Sequence, residues 1–139
     1  MQSLQSIAWL YPALETVHIV GIALLVGNLV LLEIRAWGIG GVALPLMPLA
    51  RLSMGIALSG FGLAALSGLV MFALQPAELL ANRAFNLKML LLVVAGCNAA
   101  WFHARGSLVR MDGLARAQMG LSMLVWLAVI TCGRWIGYL

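Results

Sequence analysis

Hydrophobic side chains run through the chain in four long stretches, and polar side chains gather mostly between them. The stretches are Leu14–Leu32, Leu52–Leu74, Phe85–Phe102 and Gln118–Leu139. Each has the length of a membrane span, because a helix crosses the hydrocarbon core with roughly 20 mostly uncharged residues. The stretches lack the alternating polarity of barrel strands, and in lipid only helices or closed barrels pair every backbone N–H and C=O. We therefore predict an all-α fold, an integral membrane four-helix bundle.

The composition supports a lipid environment. Of 139 residues, 64% are hydrophobic and 9% are charged, which leaves too little polar surface to cover a soluble domain. No polar linker or low-complexity tract divides the chain, so we expect a single transmembrane domain over residues 1–139. The net charge of +4 comes from residues at the span ends. It therefore indicates lipid headgroup contact, and we expect no nucleic acid partner.

The distribution of basic residues predicts the orientation. The first and third connections hold five of the eight, and the opposite face holds three: Arg35, Arg51, Arg105, Arg110 and Arg116 against Arg83, Lys88 and Arg134. The membrane face richer in lysine and arginine usually stays cytoplasmic. Both termini are therefore expected on the outer face.

Local sequence signals predict the connections and the packing. Residues 36–50 are rich in glycine and proline, so we expect little regular helix there. Asn82 or Asn86 is suited to cap the third helix. Small residues four apart in the second span predict close approach of a neighbouring backbone, in the pairs Gly55 with Ser59, Gly60 with Ala64, and Ala64 with Gly68.

The polar residues within the spans are costly in lipid and so are candidates for function. His18 and Asn28 share one stripe of the first helix, and Glu15 lies one turn before His18. In the third span a stripe from Lys88 through Leu92, Ala95 and Ala99 ends at His103, and we expect both ionisable ends to face inward. Lys88 is expected at the membrane level of His18, whereas His103 lies some 20 Å away along the helix.

A family resemblance rests on the first helix and on Lys88. The run Val17-His18-Ile19-Val20, followed by Val26-Gly27, resembles the first helix of the copper-resistance-D-like membrane proteins and of the HemJ-type bacterial protoporphyrinogen oxidases. In the oxidases, an early-helix histidine and a lysine that opens a later helix are the functional pair. The segment around Lys88 resembles that later element. The stretch from Glu15 to His103 is also similar to a small four-helix bacterial membrane family without a known activity. The resemblance implies a bacterial inner membrane protein.

These residues favour a b-type haem site centred on His18. A neutral imidazole in a dry bundle is a good axial ligand for haem iron, and its second nitrogen needs a partner that fixes the ring. We expect Glu15 to supply that partner. Met71 and Lys88 are candidates for a second ligand or a propionate contact, unless a second subunit supplies the ligand. Electron transfer, or redox chemistry on a porphyrin or quinone, would follow.

Other interpretations remain open at this stage. His103, beside Trp101 and Phe102, has the setting of an interfacial residue, although it could also bind a haem on that face. Copper conduction would use Cys97, Cys132 or the scattered methionines. A proton conductor, or a structural subunit of a membrane complex without a cofactor, is also consistent with the chain. We expect a homodimer or larger membrane complex, and leave open whether the protein is an enzyme.

Overall fold

The computed structural model describes residues 6–40 and 43–138. Within these ranges the secondary structure is helical, without strands. The helices are α1 (Leu10–Trp37), α2 (Leu46–Leu74), α3 (Pro76–Leu80), α4 (Arg83–Ala104), α5 (Ser107–Arg110) and α6 (Gly113–Trp135), followed by a 3₁₀ turn at Ile136–Tyr138. The prediction of an all-α fold is confirmed.

Four of the described helices, α1, α2, α4 and α6, are long and apolar enough to cross a membrane. Their outer surfaces are also apolar: the side chains of Leu58, Leu66 and Leu124 are 66%, 67% and 67% exposed. Large exposed apolar surfaces of this kind are costly in water and suited to lipid. The chain is a multi-pass membrane protein.

The helix ends differ from the predicted spans because caps, rather than hydropathy, set them. Asp112 caps α6 by accepting the Ala115 N–H at 2.9 Å, so that helix begins before the predicted Gln118. Asn82 caps α4 through the Phe85 N–H at 3.2 Å, as one of the two predicted alternatives. The predicted end of the last span, Leu139, lies outside the described residues.

The connection between α1 and α2 is shorter than predicted. We expected little helix across residues 36–50, but α1 continues to Trp37 and α2 already begins at Leu46. Gly38 ends α1 with a φ of 73°, and hydrogen bonds run from the Gly38 N–H to the Arg35 carbonyl and from the Ile39 N–H to the Ile34 carbonyl. This is a Schellman ending, for which glycine supplies the left-handed residue. The prediction was therefore wrong at both ends of the connection.

The chain divides into two compact units, each built on long helices. The first joins the chain up to Leu32 with Pro45–Glu78, and so pairs most of α1 with α2. The second joins Glu33–Leu44 with the chain from Leu79 onward, and so contains α4 and α6. The single-domain assignment remains a prediction.

In the first unit, α1 and α2 cross at two glycines. A Cβ added to Gly60 would lie 2.6 Å from the Gly21 carbonyl oxygen, and one added to Gly21 would lie 2.6 Å from the Gly60 carbonyl oxygen. Only glycine permits this approach. The predicted role of Gly60 and Ala64 is thus confirmed, whereas Gly55 has no described atom within 4 Å of its Cβ position. The Gly55–Ser59 pair faces away, so that part of the prediction was wrong.

In the second unit, α4 packs along α6. The core is formed by Ala95, Val125 and Val129, with Leu91, Leu92 and Trp126 packed against it. The inward positions of α4 alternate between steps of four and three residues: Ala84, Lys88, Leu91, Ala95 and Asn98. This 3.5-residue period is that of helices packed side by side with a slight supercoil. It determines which polar residues of α4 face the other helix.

Candidate functional site

His18 lies half-buried on α1 and is held by the backbone of α2. Its Nδ1 is 2.8 Å from the carbonyl oxygen of Ala64 and 3.2 Å from the Ser67 hydroxyl. The Ser67 hydroxyl in turn lies 2.7 Å from the Leu63 carbonyl, to which it donates its hydrogen. The imidazole is therefore fixed by atoms of the helix packed against it, within one unit of the fold.

These contacts determine the tautomer of the ring. A carbonyl oxygen only accepts hydrogen bonds, so the Nδ1 of His18 must carry the hydrogen that it donates to Ala64. In the neutral imidazole the lone pair then lies on Nε2. Histidines that bind metals are commonly held in this way, by donation of the other ring hydrogen to a backbone carbonyl or a carboxylate.

The helix crossing positions this histidine. His18 lies one turn before Gly21, whose contact with Gly60 brings the two backbones together. About two turns after Gly60 on α2, the Cβ position of Gly68 is 3.4 Å from the ring Cε1 of His18, so the ring packs against bare backbone. Met71 follows on the same face of α2, three residues after Gly68, and is half-buried. His18 and Met71 therefore lie in the same unit, and the role of Met71 as a ligand remains a prediction.

The sequence did not predict which atom orients the His18 ring. We expected Glu15 to fix the imidazole, and the structure assigns the Nδ1 contact to the Ala64 carbonyl. Glu15 is exposed, and both its carboxylate and that of Glu78 act electrostatically on the Tyr11 hydroxyl. Every residue has a backbone carbonyl, so no sequence signal singles out Ala64. A helper role for Glu15 remains a prediction.

Asn28 lies apart from this histidine. Its Nδ2 donates to the Leu24 carbonyl of its own helix at 2.7 Å. It also lies ten residues beyond His18, about 15 Å along the helix axis. The predicted shared stripe is present: Gly21, Leu25 and Leu32 lie on the same helix face as His18 and Asn28, at steps of three and four residues, and are buried. Sharing a stripe does not bring Asn28 to the histidine.

Lys88 belongs to the second unit and faces α6. Its Nζ lies 3.5 Å from the Cβ position of Gly133 on α6. The side chain is half-buried, as expected for the inward stripe of α4. Its predicted pairing with His18, which lies in the first unit, remains a prediction.

His103 does not face inward with Lys88. Its side chain is exposed, and its ring meets the Phe102 ring edge to face with centroids 5.4 Å apart. Ala99 is also exposed, and Asn98 is buried instead. The predicted inward stripe from Lys88 to His103 was therefore wrong in its second half. The prediction placed Ala99, four residues after Ala95, on the inward face. In the packed helix, whose inward residues repeat every 3.5 residues, Asn98 takes that place, three residues after Ala95. The interfacial interpretation of His103 agrees with its exposure.

Sequence reasoning missed a polar cluster in the second unit. The Ser107 hydroxyl donates to the Gln118 Oε1 at 2.6 Å, and the Asn98 Nδ2 donates to the Gln118 backbone carbonyl at 2.9 Å. Arg105 donates to Ser107 at 2.7 Å and pairs with the Asp112 carboxylate. Asn98 was visible as a polar residue inside the third apolar stretch, and Gln118 as the polar residue that opens the fourth. That signal could have identified them.

The cluster contains two unmatched groups. Among the described protein atoms, neither the Oδ1 of Asn98 nor the Nε2 of Gln118 has a hydrogen-bond partner, and both are sealed from the exterior. A buried polar group left unpaired costs about 1–3 kcal/mol. The amide orientations follow from the partners: the Asn98 nitrogen faces a carbonyl, and Ser107, which accepts from Arg105, directs its own hydrogen to Gln118.

The charged end of this cluster predicts a pH dependence. The hydrogen bond from Arg105, and then that from the Ala115 N–H, hold the pKa of the Asp112 carboxyl below its usual range. A carboxyl whose pKa is lower in the folded protein than in the unfolded chain stabilises the fold at pH values above its unfolded-state pKa. This stabilisation is lost as the pH falls through the folded-state pKa. We expect melting temperatures in detergent to be insensitive to this group from pH 7 to about 5, and to fall below about pH 4.

The matched variant is Asp112→Asn, which retains a capping oxygen and loses the charge. It should melt lower than the natural protein at neutral pH and show a weaker decline in acid. An identical acid decline in the two proteins would show that Asp112 does not contribute in this way.

Among the described residues, no group of three or more histidine, cysteine, aspartate or glutamate side chains is arranged to hold a metal ion. No family model, curated protein or solved structure matches the chain. The resemblance to the copper-resistance-D-like and HemJ-type proteins therefore remains a prediction.

Proposed function

We propose that this protein binds a b-type haem in the membrane, with His18 as an axial ligand. The observation that carries the proposal is the hydrogen bond from the His18 Nδ1 to the Ala64 carbonyl, 2.8 Å long. It gives the ring the tautomer that an axial ligand needs, with the lone pair on Nε2. A single well-oriented histidine suffices for haem, since the porphyrin supplies the other four ligands.

The surroundings of the ring fit this role. His18 is half-buried in an apolar helix pair, and its ring packs against the backbone of α2 at Gly68. Met71 on the same face of α2 is our candidate for the second axial ligand, and Lys88 for a propionate contact. A bound haem would supply one-electron redox chemistry. The chain's own residues would bind it, orient the imidazole and exclude water.

The same proposal includes the protein's setting. We place it in the bacterial inner membrane, as the family resemblance implies. The five-to-three bias of basic residues supports a periplasmic position for both termini. We also propose that it works as a homodimer or in a larger membrane complex, as an electron-transfer protein or as an oxidoreductase acting on a porphyrin or quinone.

The proposal is tested by titrating haemin into the haem-free protein in lipid nanodiscs. We expect a saturable change in the Soret absorption that ends at about one haem per chain, because a single axial histidine defines a single site. His103→Ala is the matched control, since it removes the other histidine of the chain. It should leave the titration unchanged. A linear, unsaturable uptake equal to that of empty nanodiscs would overturn the proposal.

A further inference from the structure

The polar cluster in the second unit points to a binding site that the haem proposal does not use. Asn98 and Gln118 are 7% and 2% exposed, so each is more than nine-tenths buried between α4 and α6. Each also presents one unpartnered atom, an acceptor on Asn98 and a donor on Gln118. The two residues are in direct contact, since the Asn98 Nδ2 donates to the Gln118 backbone carbonyl at 2.9 Å.

The chemistry of these two atoms restricts the occupant. A partner of the Asn98 Oδ1 must donate a hydrogen bond, and a partner of the Gln118 Nε2 must accept one. Any such partner must also be small, because both atoms are sealed from the exterior. A water molecule meets these requirements, and buried waters typically bind two to four polar groups that would otherwise remain unsatisfied.

Neighbouring groups strengthen such a site. Asp112 pairs with Arg105, Arg105 donates to the Ser107 hydroxyl, and Ser107 donates to the Gln118 Oε1. Each bond in this series increases the polarity of the next, because hydrogen-bonded chains polarise one another in a low-dielectric environment. The positive charge of Arg105 thus makes the Gln118 amide a better donor.

We propose that Asn98 and Gln118 hold bound water between α4 and α6, as the inner end of a hydrogen-bonded chain that begins at the Asp112–Arg105 pair. The bound water extends the hydrogen-bonded network from the helix ends into the apolar span. This site is independent of His18, which lies in the other unit.

Water-to-amide magnetisation transfer in ¹⁵N-labelled protein in nanodiscs tests the proposal. We expect a direct transfer from water to the Gln118 side-chain amide in the natural protein. Asn98→Leu removes the acceptor and should abolish the transfer at Gln118. Absence of the transfer in the natural protein, or undiminished transfer at Gln118 in Asn98→Leu, would overturn the proposal.

Discussion

Replacing Gly60 with leucine is expected to separate α1 from α2. The Cβ position of Gly60 lies 2.6 Å from the Gly21 carbonyl oxygen and 2.8 Å from the Leu25 nitrogen, and both of these atoms belong to backbone. Backbone cannot move aside as the end of a flexible side chain can, so the helices must shift. We expect a loss of about 3 kcal/mol in stability, the upper part of the range for overpacked sites.

The same helix provides a control for this experiment. Gly62 has no described atom within 4 Å of its Cβ position, so Gly62→Leu adds a side chain without a backbone clash. Both variants gain the helix propensity that leucine has over glycine. Unfolding by sodium dodecyl sulfate in mixed micelles should separate the two, with Gly60→Leu strongly destabilised and Gly62→Leu at or above the stability of the natural protein. Equal stability of both variants would contradict the observed crossing.

Replacing His18 with glycine is expected to abolish haem binding and to leave a gap that free imidazole can fill. The variant removes the proposed ligand, and loss of the ligand should exceed the roughly 10–100-fold cost typical of losing a residue that only orients one. The Ala64 carbonyl and the Gly68 backbone that surround the ring remain in place. Added imidazole can therefore occupy the same position and restore the absorption.

Imidazole rescue separates a ligand from a packing residue. A histidine that only joins α1 to α2 would lower stability when removed, but the haem spectrum of the variant would not depend on added imidazole. His103→Gly, measured with and without imidazole, provides the control for the other histidine of the chain. Full haem loading of the His18→Gly protein without imidazole would exclude His18 as the ligand.

The sequence predicted the membrane-spanning helices well because length and apolarity alone identify them. It did not predict where they end, since capping determines this: Asp112 starts α6 and Gly38 ends α1. It also did not predict the inward face of the second half of α4. The choice between Asn98 and Ala99 depends on whether the helix follows a 3.5- or 3.6-residue period, and packing against α6 decides that.

The candidate site was predictable from the sequence only at His18. His18 is a polar residue in an apolar span and so draws attention from the sequence alone. The atom that orients it is the backbone carbonyl of Ala64, which has no sequence signature. The sequence predicted only one side of the Gly21–Gly60 crossing. The small residues of α2 indicated close packing, but nothing in the sequence identified Gly21 on α1 as the partner.

The most direct measurement is a reduced-minus-oxidised visible spectrum of the protein purified from cells grown with ample haem. The account predicts a sharp b-type α band from about one haem per chain, since His18 offers a single imidazole with its lone pair on Nε2. A folded, helical protein with a featureless difference spectrum would contradict it and would leave the bond between His18 and Ala64 as a helix contact alone.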